Sequence, residues 1–207
     1  MIFMKESVIL EVNGDKWDRM LKIRTSGRDD SMSDYYHYPY EPTPYQVLER
    51  LAFSGYIRKN NVLIDYGCGK GRVGFFLTNE TRCHAIGIDY NQKVYKRAIE
   101  NRKTAVSANR NQFVLTAAEK YKIEKNADRF YFFNPFSVEI LRAVLQRILE
   151  SYYDYPRDMK MFFYYPSDTF CSYLESVDEL TLIDTIDCRD LFDGENRREC
   201  ILVYSLF

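Results

Sequence analysis

Val62-Leu63-Ile64-Asp65-Tyr66-Gly67-Cys68-Gly69-Lys70-Gly71 is the stretch on which the fold turns. Its first half is a short apolar, β-branched run of the kind that forms a buried strand. Glycines at 67, 69 and 71 let the backbone turn tightly and approach a ligand, and the helix that follows points its first amides at that ligand. Further along, short apolar runs at 85–89, 112–115, 130–133 and 159–165 alternate with helical spacing near 71–79, 91–107, 138–151 and 169–176. The last two runs, 180–187 and 200–205, are joined by a polar loop too short for a crossover helix, so they pair antiparallel. This βαβα order predicts an α/β chain: a Rossmann-like three-layer sandwich around a mostly parallel seven-stranded sheet with an antiparallel C-terminal edge pair. Before the first strand, helical spacing runs from Pro44 and stops at Gly55, with Thr43 expected as its N-cap. Residues 1–41 read as an N-terminal extension and expected substrate lid, and 42–207 as the domain proper.

The 207 residues fit one ordinary domain. Lysine and arginine (29) nearly balance aspartate and glutamate (30), too even for a protein that holds nucleic acid chiefly through phosphate neutralisation. The lysine- and arginine-rich helix near 91–107 reads as a solvated face and gives no strong nucleic-acid signature. No apolar run is long enough to span a bilayer and the N-terminus carries no secretory pattern, which leads us to expect a cytoplasmic protein away from membranes. Five scattered cysteines, none in Cys-x-x-Cys spacing, and two histidines argue against a disulfide framework and a metal centre.

An α/β sheet of this kind binds ligands at the carboxyl ends of its strands, which directs attention to the glycine loop and to Asp89 and Tyr90 after the second strand. A carboxylate at Asp89 can accept both hydroxyls of a ribose. Gly69, Gly71 and Gly74 formally match the dinucleotide fingerprint, so an NAD(P)-binding oxidoreductase is an alternative. Register opposes it: a fingerprint starting at Gly67, the strand end, requires a third glycine where the chain has Arg72.

Asp65-x-Gly67-x-Gly69-x-Gly71 after strand one, with an acid ending strand two, resembles the class I S-adenosylmethionine (SAM)-dependent methyltransferases over about residues 42–207. The resemblance implies a methyltransferase with SAM as cofactor, bound by Asp65, Gly67, Cys68, Gly69, Gly71, Asp89 and Tyr90. It also places the adenine at the loop carrying Ala117 and Ala118, where this chain lacks the family's usual acidic residue.

Asn134-Pro135-Phe136 at the end of strand four is similar to the motif of methyltransferases that modify nitrogen, although only one proline is present. The resemblance makes these three the catalytic residues, with Asn134 beside the cofactor and an amino group held by its hydrogens. Methylation of a pyrimidine carbon is excluded, because no cysteine follows a proline to act as nucleophile. Tyr40, Thr43 and Tyr45, with Tyr35, Tyr36 and Tyr38, are candidates for the acceptor wall, and Tyr165 lies on the same rim. A SAM- or nucleoside-binding module without turnover is the other alternative. The acceptor itself, whether small molecule, protein amine or RNA, is not legible.

Overall fold

In the computed structural model, which describes residues 16–29 and 40–206, seven strands form one sheet in the order β3-β2-β1-β4-β5-β7-β6. The strands are β1 (Val62–Tyr66), β2 (His84–Asp89), β3 (Asn111–Leu115), β4 (Arg129–Phe132), β5 (Lys160–Tyr164), β6 (Leu180–Asp187) and β7 (Cys200–Leu206). The first five run parallel, while β7 lies antiparallel between β5 and β6. The expected C-terminal pair is therefore present, with β6 as the edge. Strand order reverses between β1 and β4, and that switch fixes where a ligand cleft opens.

The helices are α1 (Tyr45–Phe53), α2 (Arg72–Thr81), α3 (Gln92–Arg102), α4 (Val138–Asp154) and α5 (Asp168–Glu175). Side chains alternate across the strands, so Leu63, Ala85, Tyr131 and Phe162 face α1 and α2, whereas Ile64, Ile86, Phe130 and Phe163 face α4 and α5. Both faces are apolar because parallel strands are covered on both sides. Among the described residues, no helix is long and apolar enough to cross a membrane.

The described part of the N-terminal extension packs against the domain core. Residues 16–21 are helical, and Leu21 and Ile23 are buried in the same cluster as α1 and α2. The Trp17 ring packs edge-on against Phe76 at 4.8 Å and stacks on Tyr45 at 5.9 Å. Thr43 is not the N-cap of α1. Pro44 occupies that position without a side-chain cap, and the Thr43 hydroxyl instead pairs with the Tyr131 hydroxyl at 3.2 Å.

Candidate active site

The glycine loop closes on three successive left-handed glycines, Gly67 (φ 75°), Gly69 (φ 54°) and Gly71 (φ 88°), a path that side chains with a Cβ resist. Its entry is tied to β2, since the amides of Gly67 and Cys68 both donate to the Ile88 carbonyl. A Cβ on Gly67 would lie 2.4 Å from Pro135 Cβ, so the glycine loop and the Asn-Pro-Phe turn are in direct contact. A Cβ on Gly69 would lie 2.0 Å from the Tyr40 ring. Gly74, the residue that suggested a dinucleotide fingerprint, sits inside α2, where a Cβ would meet Asn111 at 2.8 Å and Ala85 at 3.4 Å. It is a helix–sheet packing residue.

Asp89 holds this loop as well as facing the cleft. One carboxylate oxygen accepts from the Gly69 amide and the other from the Asn91 amide, each at 2.8 Å. Asp65 is different. It is 3% exposed, its Oδ2 has no hydrogen-bond partner, and burial, then the Asp89 charge, push its carboxyl up to about 8.

One cleft at the strand ends is lined by Asp65, Gly67, Cys68, Asp89, Tyr90 and Ala118, together with Tyr40, Thr43, Pro135 and Phe136. Gly69, Gly71 and Ala117 shape its neighbourhood without lining it. A second cleft of about 680 Å³ adjoins it, sharing Glu41, Pro42 and Phe133, and is lined by Asn134, Tyr164 and Tyr165. Asn134 thus opens onto the neighbouring cleft and not onto the one that holds Asp65 and Asp89. Its Nδ2 donates to the Tyr165 carbonyl at 2.5 Å, which fixes the amide orientation, and its Oδ1 is buried without a partner. Asn134 (φ 38°) and Tyr165 (φ 51°) are both left-handed non-glycine residues, local strain of the sort that collects at functional sites.

Tyr45, expected on the acceptor wall, is 2% exposed and belongs to the core. Tyr35, Tyr36 and Tyr38 lie outside the described residues. Tyr40 lies over Gly69, and its hydroxyl donates to the Thr25 carbonyl.

Sequence reading missed the hub beneath the loop. The buried Arg72 donates from Nε to the Thr25 hydroxyl (2.7 Å) and from Nη1 to the Thr43 carbonyl (3.2 Å), lies 3.9 Å from Asp18, and stacks over Tyr45 at 4.4 Å. Asp18, also buried, accepts from the Thr25 amide (2.5 Å), the Thr25 hydroxyl (2.7 Å) and the Tyr45 hydroxyl (2.5 Å). At the end of α3, Asn101 bonds both the Arg24 backbone and the Lys70 carbonyl. These contacts fasten the N-terminal segment to the glycine loop. No spacing in the sequence signals them, because Asp18 and Arg72 are 54 positions apart.

Residues 57–152 match a protein-family model described as a methyltransferase domain. A protein-lysine N-methyltransferase of Saccharolobus islandicus (strain REY15A) is 30% identical over 71 residues, 34% of this chain and 44% of that protein. The match spans less than half the length of that relative. Among solved structures, an RNA methyltransferase from Salinibacter ruber in complex with S-adenosyl-L-homocysteine superposes with a TM-score of 0.54 at 19% identity, covering 80% of this chain and 92% of that one. An rRNA methylase from Streptococcus thermophilus gives 0.55 at 12% identity, covering 81% and 96%. Residues 57–152 are thus similar to methyltransferase domains, and the chain shares the fold of these methyltransferase structures.

Proposed function

We propose that this chain is a SAM-dependent methyltransferase that acts on a nitrogen atom seated at Asn134. The observation that carries the nitrogen reading is the locked Asn134 amide, whose nitrogen is spent on the Tyr165 carbonyl and whose buried oxygen is left to accept from an N–H donor. An unmet buried acceptor costs about 1 to 3 kcal/mol, which a bound amino group would relieve.

The first cleft fits the cofactor. Asp65 presents an unpartnered buried carboxylate oxygen, suited to a cationic group, and Asp89 lines the same cleft at the end of β2. Ala118 and Ile140 offer an apolar surface for a base, with the polar Thr116 and Glu119 beside them. Bound SAM supplies an electrophilic methyl group on a sulfonium. The chain's own part is orientation: Asn134 fixes the acceptor nitrogen in one cleft while Pro42 and Phe133, shared by both clefts, border the path between them.

Calorimetric titration with SAM, S-adenosylhomocysteine and NAD tests the cofactor, and NAD binding without SAM binding would overturn the reading. For the acceptor, tritiated SAM is incubated with the chain and with protein, RNA and small-molecule fractions of a cell extract. Asn134→Ala is expected to abolish most label transfer while changing SAM affinity less than about twofold, since the interaction matters chiefly in the transition state. Label in no fraction would favour the binding module. A large loss of SAM affinity in a folded Asn134→Ala variant would make Asn134 a cofactor ligand and remove the case for nitrogen.

A further inference from the structure

Beside the glycine loop, sharing no lining residue with the first cleft, lies a groove lined by Arg19, Lys22, Arg24, Lys70 and Arg97, with Asp18 and Glu100 as its acids. Glu100 offsets one of these cations, Arg97, and neither acid pairs with Lys22 or Arg24. Asp18 is buried with its oxygens engaged by Thr25 and Tyr45, and Glu100 is taken by Arg97 at 2.8 Å. Lys22 and Arg24 are exposed, and among the described residues no hydrogen bond or ion pair engages either cationic head group. On the adjoining α3 and just beyond it, Lys96 and Lys103 are exposed too. The sequence shows only the helical half of this charge. Folding adds Lys22 and Arg24, because Asn101 and Thr104 at the end of α3 bond the backbone of Arg24 and Lys22. The near-zero net charge hides the patch because acids such as Asp184, Asp187 and Asp190 lie far along the chain at the β6 edge.

The groove leads to the acceptor cleft. Ser26 lines the groove and Arg28 lines the acceptor cleft, two residues further on, a span of at most roughly 7 Å of chain. There the walls include Phe133, Tyr164, Tyr165 and Phe192, and the Arg198 guanidinium sits 4.2 Å from the Tyr165 ring centre.

We infer that residues 22–28 form a basic track that docks the backbone of single-stranded RNA and leads one of its bases into the aromatic acceptor cleft; this rests on the methyltransferase reading above. The chemistry recognises a polyanion carrying flat rings. Exposed lysine and arginine bind phosphates through counterion release, and aromatic walls stack on unpaired bases. A lysine-rich protein segment would be repelled by the same track. The strand must be unpaired, since a base inside a duplex cannot reach the cleft, and unpaired loops and ends are where RNA is read.

The test is fluorescence anisotropy of the full chain with a labelled mixed-sequence 20-nucleotide single-stranded RNA across a salt series, with SAM binding measured on the same samples. Lys22→Gln with Arg24→Gln removes two contacts. At about 0.7 per contact, the slope of log K against log salt should flatten by about 1.4, and affinity at 0.1 M salt should fall about 25-fold. SAM affinity should not change, because neither residue lines the first cleft. Failure of SAM binding by the unaltered chain would remove the methyltransferase reading and this inference with it. With SAM binding intact, the inference is overturned by absent RNA binding, by an unchanged salt slope in the double variant, by tighter binding of DNA of the same sequence, or by label transfer to a protein fraction while RNA takes none.

Discussion

Replacing Arg72 with Met keeps most of the side chain's apolar bulk but removes the guanidinium that joins the N-terminal segment to the start of α2. The loss includes the hydrogen bonds to Thr25 and Thr43, a contact from Nη2 to the Ser26 hydroxyl at 3.3 Å, and the ring contact with Tyr45. The larger effect falls on Asp18, 6% exposed, which would keep a buried charge without its cation. Breaking one side of a buried pair typically costs about 3 to 5 kcal/mol. For a chain of this size each kcal/mol moves the melting temperature by about 2 to 4 °C, so Arg72→Met should melt about 6 to 20 °C lower. Thermal unfolding followed by circular dichroism reads this directly. Adding Asp18→Asn to Arg72→Met removes the stranded charge, so the double variant should be more stable than the sum of the two single losses by about 0.5 to 3 kcal/mol. SAM affinity should weaken in Arg72→Met, since the segment that carries Tyr40 onto Gly69 would lose its anchor. A melting temperature lowered by less than about 3 °C, with strictly additive losses in the double variant, would refute the view that this hub fastens the loop.

Four further outcomes follow from the site. Because burial raises Asp65 to about 8, its carboxyl is protonated over much of the neutral range, and a cationic ligand must drive that proton off. SAM affinity should therefore rise with pH, by about 20-fold from pH 6 to pH 7.5, and Asp65→Asn should flatten the calorimetric profile; pH-independent binding by the unaltered chain would contradict this. The same raised value means that the folded state holds a proton the unfolded chain releases above about pH 4, so the Asp65 contribution to stability falls as pH rises from about 4 to about 8. Asp65→Asn should lose this component in denaturant titrations. Asp89→Ala should lower stability as well as SAM affinity, because it orphans the Gly69 and Asn91 amides, at about 1 to 3 kcal/mol each; an unchanged melting temperature would restrict Asp89 to ligand binding. Gly69→Ala forces a Cβ into a left-handed position and against the Tyr40 ring, so it should cost at least about 1 to 2 kcal/mol, and a melting temperature equal to that of the unaltered chain would show that Tyr40 yields freely.

The sequence by itself determined the elements and much of their order. Apolar runs of strand length, punctuated by glycine, asparagine and aspartate, marked the seven strands to within a residue or two; the buried parallel strands β1 and β4 leave the most uninterrupted local signal. The short polar link between β6 and β7 required their antiparallel pairing, whereas the insertion of β7 between β5 and β6 depended on long-range pairing that no local pattern encodes. Asp65, Gly67 and Asp89 were legible as cleft residues because loop chemistry and strand register place them there. Tertiary structure alone decided that Tyr45 is core and that Thr43 bonds Tyr131 in place of capping α1. It also decided that Asn134 faces a second cleft, and that Asp18, Thr25 and Arg72 meet beneath the glycine loop. The physical reason is the same in each case: a side chain's direction is set by what packs against it, and those partners lie tens of residues away in the chain.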